Sequence, residues 1–236
     1  MIESIPESER APSLRKLDFD KSKHVERPLG VQWNVATDTF GFTITIKDRP
    51  LTRRGVLSTV SSIYDPLGFA APFILPAKAI LQDLCRKKLG WDDPIPEEET
   101  QRWRKWLHEL PKLEQFSVNR CFKPSEFGEI DSRQLHHFSD ASQEGYGAVS
   151  YLRIVNTRGD IHCSFVLGKS RLAPLKPTTI PRMELSAAVV ATRLEKMIQE
   201  ELEEKTTCRS IFLVRQHMRI ALCGERRQTV PNLCRK

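Results

Sequence analysis

The spacing of apolar residues changes several times along the chain, and each change predicts an element. Residues 1–27 are polar and charged without a period and read as a linker or frayed end. Two apolar runs, Leu29 to Trp33 and Phe40 to Ile46, flank Asp38-Thr39, and the second alternates, which predicts a β-hairpin. Residues 52–64 read as a helix with Thr52 as N-cap. Pro66, Gly68, Pro72 and Pro76 then break the pattern until a second helix over Ala77 to Leu89. From Pro96 to Leu110, glutamates crowd the first turn and Trp103, Trp106, Leu107 and Leu110 form an apolar stripe, which predicts a third helix.

After Pro111 the pattern loosens until about Ser132, where a domain boundary is expected. Three strand-like runs follow, 133–139, 145–155 and 161–169, with Asn156 to Asp160 as a hairpin turn. A long helix is then predicted from about Ile180 to Glu204, with Thr179 as N-cap and Pro181 in the first turn. The expected fold is α+β: a helical segment over 28–131, then an antiparallel three-stranded meander with one long helix over 132–205.

Two acids stand out against this pattern. Asp140 ends a strand, a position aspartate disfavours because its side chain competes for backbone hydrogen bonds. Glu184 falls at helical spacing with Ile180, Ala187, Val190, Leu194, Ile198 and Leu202, the one charged member of an apolar stripe. Each has a structural reading, an Asx-type turn for Asp140 and a first-turn cap for Glu184. As a pair they also suit a hard cation: carboxylates without neighbouring Cys ligands favour Mg²⁺, which serves phosphoryl chemistry. His136 and His137 do not complete such a set, because adjacent strand residues point to opposite faces.

Charge sharpens the picture at the C-terminal end. The chain carries +7 overall, and residues 206–236 hold seven basic residues against Glu225 alone, a net +6. Elsewhere Arg53, Arg54, Lys78, Arg86, Lys87 and Lys88 are candidates for phosphate contact, with a solvated helix face as the plainer reading. The six cysteines are far apart and form no Cys-x-x-Cys pair, which argues against a zinc knuckle and for reduced thiols. No apolar run reaches the length of a membrane span. An intracellular protein of cytoplasm or nucleus is expected.

Phe-Ser-Asp-Ala-Ser, then Gly-Tyr-Gly-Ala-Val, then Pro-Arg-Met-Glu-Leu-Ser-Ala-Ala resemble the ribonuclease H domain that follows reverse transcriptase in Bel/Pao-class LTR retrotransposons. In the first half, Leu-Gly-Val-Gln-Trp-Asn, the run from Thr52 to Phe69, and Trp-Arg-Lys-Trp-Leu-His-Glu-Leu-Pro resemble the thumb and connection segment of the same polyprotein. The resemblance implies that Asp140 and Glu184 are metal-binding, catalytic carboxylates for Mg²⁺-dependent cleavage of RNA in RNA–DNA hybrids. It also implies a third acid, in a Trp-Ser/Thr-Asp-Ser stretch on the strand after the helix. Here that strand reads Ser-Ile-Phe-Leu-Val-Arg-Gln-His-Met, residues 210–218, and no aspartate follows Asp160. The paired aspartates of a polymerase palm are missing as well.

The expectation is therefore an inactive fragment of such an enzyme. The alternatives are a non-catalytic nucleic-acid-binding remnant and a host-adopted interaction module. Residues 206–236 read as an aberrant tail, the right gene in the wrong frame from about residue 213, leaving the domain without its later strand. Leu213 to His217 can be encoded CTG GTC AGA CAG CAT. One base later this reads Trp-Ser-Asp-Ser. A divergent C-terminus, or an intron read through, would also produce a tail of this kind.

Overall fold

The computed structural model describes residues 29–201 and 209–214. The polar N-terminal segment and most of the basic tail lie outside the described residues. The chain divides into two compact units, Met1–Gly128 and Glu129–Lys236.

The first unit opens with the antiparallel hairpin of β1 (Leu29–Asn34) and β2 (Thr39–Ile44), paired from Leu29↔Ile44 to Asn34↔Thr39. A short strand that the sequence pattern does not predict, β3 (Ser117–Asn119), adds antiparallel to β2. Three residues are too few for a period to register. Helix α1 (Arg53–Ser62) is capped as expected, with the Thr52 hydroxyl accepting from Gly55 N–H at 3.2 Å.

Helix α2 differs from expectation. It runs Ala71–Arg86, starting six residues before Ala77, and takes in Pro72 and Pro76. Pro72 sits in the first turn, where no N–H is needed. Pro76 gives up one backbone bond, and the burial of Ile74, Ala77, Ile80 and Leu84 on one face offsets it. Just upstream, the Asp65 carboxylate accepts from the N–H groups of Gly68, Phe69 and Ala70 at 2.8–3.0 Å, which fixes the turn into α2. Burial pushes this carboxyl's pKa up while the three N–H groups pull it down.

Helix α3 (Glu97–Glu109) carries Glu97, Glu98 and Glu99 at the positive end of its dipole and continues as a 3₁₀ turn through Leu110–Gln115. Trp103 and Trp106 stack at 4.9 Å in the core, and Trp106 Nε1 donates to the Phe73 carbonyl at 2.9 Å. The aromatic stripe of the sequence is thus packing, not a base-stacking surface.

A polar clasp joins the hairpin turn to the segment after β3. Asp38 accepts two bonds from Arg120, at 2.6 and 3.1 Å, one from Trp33 Nε1 at 2.9 Å and one from the Cys121 thiol at 3.2 Å. The Arg120 guanidinium, then Cys121, hold its carboxyl down at about 2. A folded pKa below the unfolded 3.8 means that this contribution to stability is complete above pH 4 and is lost as pH falls toward about 2. Asp38→Asn is expected to lower thermal stability at neutral pH and to flatten the loss between those pH values. Thermal melts by circular dichroism across the acid range check this; an unchanged acid slope refutes it.

The second unit is a sheet with one helix. β4 (Ile130–Ala141), β5 (Gly145–Asn156) and β6 (Ile161–Leu172) form the expected antiparallel meander, each strand extending beyond its predicted run. The turn between β5 and β6 has Gly159 at φ +88°, with Asn156 Oδ1 accepting from Arg158 and Asp160 N–H. Helix α4 (Ile180–Glu201) follows, and the Thr179 carbonyl accepts the first bond from Met183 N–H at 3.1 Å.

The three-stranded expectation is corrected here. β7 (Arg209–Val214) pairs parallel with β4, from Gln134↔Arg209 to Ser139↔Val214, making the order β6-β5-β4-β7. Residues 209–214, expected to belong to an aberrant tail, are therefore a strand, and the later strand expected to be lost is present at least to Val214. Parallel strands need a crossover, and α4 supplies it from β6 to β7.

Candidate functional site

Strand alternation sorts the side chains of the second unit into two faces. Leu135, His137 and Ser139 of β4 pair with Leu152, Ser150 and Ala148 of β5, and all six are buried. Helix α4 packs on β4 and β5 through Met183, Ala187, Val190, Ala191, Leu194 and Ile198. On the opposite face lie Gln134, His136, Phe138 and Asp140.

Asp140 is exposed and stands opposite Gly147. The turn beyond it is built by Ser142, whose N–H donates to the Gly145 carbonyl at 2.8 Å and whose hydroxyl accepts from Glu144 and Gly145 N–H. Asp140 Oδ1 accepts from its neighbour Ala141 at 2.9 Å. The glycines of Gly-Tyr-Gly have a steric reason. A Cβ on Gly145 would meet the Arg171 carbonyl at 2.6 Å, and one on Gly147 the Lys169 carbonyl at 2.8 Å. The strand surface beside Asp140 is consequently bare backbone.

Glu184 is half-buried near the start of α4, while Ile180, expected to head the apolar stripe, is 41% exposed. Met183 takes the buried place instead. β6 ends with Leu172 opposite Gly145, so α4 begins at the Asp140 end of the sheet and runs back to where β7 starts opposite Gln134. Asp140 and Glu184 share one end of the sheet. They depart from different sides: Asp140 from the face that α4 does not cover, Glu184 from the helix on the other. Among the described residues no group of three or more His, Cys, Asp and Glu is placed to hold a metal ion.

His136 and His137 point to opposite faces, as strand geometry requires. His137 is 1% exposed, its Nδ1 2.8 Å from Ser150 Oγ and its ring stacked on Phe212 at 4.8 Å. Burial holds its pKa below the ordinary value, as it does for His136.

Of the six cations considered for phosphate contact, four are engaged within the first unit. Arg53 donates to the Leu89 carbonyl and lies over the Trp91 ring at 4.1 Å. Arg54 makes a bidentate pair with Asp92 at 2.7 and 2.9 Å, and Arg86 pairs with Asp83 at 2.9 Å. Lys87 is bound to Glu99, a carboxylate 2% exposed, with Glu98 further off. Lys78 and Lys88 are exposed.

Sequence reasoning placed a strand at 210–218 but did not predict its parallel pairing with β4 or the apolar character of the face that carries Asp140. The apolar signal is present in Ser210-Ile-Phe-Leu-Val214, a β-prone run that alternates onto the two faces.

A four-stranded mixed sheet with its crossover helix on one face is consistent with a ribonuclease H-like fold. Residues 52–214 match the family described as Pao retrotransposon-like RNaseH-like domain. The match covers more than half of the chain and runs through both units; the chain belongs to this family. Comparison with curated proteins found no match. Among the described residues no helix is long and apolar enough to cross a membrane.

Proposed function

We propose that the chain is a piece of a retrotransposon Pol polyprotein, with a thumb and connection segment over residues 28–131 and a ribonuclease H-like domain beyond it. Its ancestral chemistry is Mg²⁺-dependent cleavage of the RNA strand of RNA–DNA hybrids, and it no longer performs it. The observation that carries the reading is the family match, whose span contains Asp140 and Glu184 at one end of one sheet. Asp140 is the first metal ligand and Glu184 the second; Mg²⁺, when bound, activates water and stabilises the leaving oxygen.

The residues present do not make a complete site. Two carboxylates leaving from different sides of the sheet, with no third acid grouped with them among the described residues, supply too few hard oxygen donors for two ions. No catalytic step is assigned to them. Purified protein is expected to show no hybrid cleavage with Mg²⁺ or Mn²⁺, read on a labelled RNA–DNA duplex in a gel. Turnover that disappears in Asp140→Asn would overturn this reading.

Nucleic-acid binding without catalysis is the second reading, and the family favours it. Arg53, Arg54, Arg86 and Lys87 are paired within the first unit, which leaves Lys78 and Lys88 of the six candidates to displace counterions. Hybrid binding is weak and salt-sensitive on this view, with Lys78, Lys88 and the basic tail as its sources.

A further inference from the structure

His137 is a titratable group in the core of the second unit for which the ribonuclease H reading has no use. It is 1% exposed, and Ser150, its partner across the ladder, is fully buried. The imidazole lies on the Phe212 ring of β7 at 4.8 Å, the two planes 25° apart. Nδ1 stands 2.8 Å from Ser150 Oγ, while Nε2 is buried without a hydrogen-bond partner among the described residues. A neutral imidazole suits this place. A protonated one does not: both ring nitrogens become donors, Ser150 Oγ accepts from Nδ1–H alone, and Nε2–H is left unsatisfied on a buried cation.

The charges around the ring do not remove this cost. From α4, Glu195 favours the charged form, yet its carboxylate accepts from Gln199 at 3.2 Å and makes no hydrogen bond to Nε2. Arg193 and Lys196 of α4 are exposed, Lys196 in a pair with Glu200. On the ring's own side of the sheet, β5 presents Ala148, Ser150 and Leu152 and β7 presents Ser210, Phe212 and Val214, none of which titrates. His136, on the other side of β4, opposes a second positive charge. Burial outweighs Glu195 and holds the His137 pKa below its ordinary 6.5.

We propose that His137 is an acid-sensitive latch for β7: the neutral ring holds the strand on the sheet, and the protonated ring releases it while the meander stays folded. β7 gives way first because it is held least. It has 6 residues against 12 in each of β4, β5 and β6, and among the described strands it pairs with β4 alone. Phe212 reaches β4 through the His137 ring itself. Val214 stands beside Ser139, the neighbour of Asp140, so the latch governs the strand next to that carboxylate. The depressed pKa sets the direction. Well above 6.5 the ring is neutral whether β7 is docked or released, and the latch is closed. Below 6.5 the released ring takes a proton more readily than the buried one, so opening grows by up to about tenfold per pH unit until the buried ring titrates too. The latch goes beyond the ribonuclease H reading and does not depend on it.

Hydrogen exchange of the full chain, read by mass spectrometry from about pH 8 to about pH 5 and corrected for the intrinsic pH dependence of exchange, tests the latch. Peptides over 209–214 should lose about tenfold in protection within about one pH unit below 6.5, while peptides over β5 and β6 keep theirs. His137→Asn retains a partner for Ser150 and cannot titrate, so protection of β7 should become independent of pH. His136→Asn, on the other side of the strand, should leave the loss in place. Glu195→Gln removes the carboxylate that favours the proton, and the loss should then continue to lower pH before it levels. Protection of β7 that is constant across the range, a loss that persists in His137→Asn, or an equal loss in β5 and β6 overturns the proposal. Should His137→Asn fail to fold, the native ring decides the matter by nuclear magnetic resonance. Its titration must lie below 6.5 and move together with the β7 amide signals; a ring that titrates at 6.5 or above, or β7 signals that stay still, overturns the latch.

Discussion

Leu194→Ala is expected to destabilise the second unit by about 2–5 kcal/mol, because it empties a fully enclosed site between α4 and the sheet. Leu194 is 1% exposed, and α4 is the only described layer of its unit over β4 and β5. Leu185, on the same helix but 51% exposed, makes the control: its truncation should change stability by no more than about 0.5 kcal/mol. The two units can be followed separately in one urea titration. All four tryptophans, Trp33, Trp91, Trp103 and Trp106, belong to the first unit. Their fluorescence therefore reports that unit, while far-ultraviolet circular dichroism reports both. In Leu194→Ala the dichroism should lose an early component and the fluorescence midpoint should stay in place. A dichroism curve that matches the native one would show that α4 is not what holds the sheet.

Where the chain spaces its apolar residues regularly, the structure follows the spacing. The Thr52 cap, the tryptophan stripe of α3, the three meander strands and the body of α4 all stand where the sequence puts them. Misplaced elements fail for specific local reasons. Pro72 and Pro76 look like breaks, yet one lies in a first turn and the other is carried by the buried face of α2. β3 is held by register with β2, a non-local cause that three residues cannot advertise. β7 lies within the run read as the strand after the helix, but grouping it with the basic tail left its pairing with β4 unpredicted, and that pairing is again a non-local cause.

The candidate site divides in the same way. Asp140 and Glu184 are legible as acids in unusual places, and chain topology explains why they share an end of the sheet. Their departure from different sides is not legible, because it depends on which face α4 covers. The six cations illustrate a further limit. Charge is visible in sequence, but whether a guanidinium is already committed to Asp92 or Asp83 is settled only by packing.

Sequencing the genomic DNA around the codon for Leu213 is expected to reveal Trp-Ser-Asp-Ser in the frame one base ahead. The strand pairing supplies an argument that does not depend on the choice of synonymous codons. β4 and β7 advance together to Ser139↔Val214. Were that register continued, position 215 would stand beside Asp140. In the shifted frame, Trp and Ser fall at 213 and 214, and the aspartate falls at 215. The acid that the resemblance requires would thus arrive next to the first carboxylate, on the strand surface that Gly147 leaves bare, whereas the sequence of the present frame has an arginine at position 215. Replacing Leu213 to Gln216 with Trp-Ser-Asp-Ser is accordingly expected to confer Mn²⁺ binding that the native chain lacks, observed as loss of the free-ion signal by electron paramagnetic resonance. Asp140→Asn in that background should remove it again. Codons at the locus that give no Trp-Ser-Asp-Ser in the shifted frame would rule out the frame change, and an unaltered Mn²⁺ signal in the repaired chain would rule out the site.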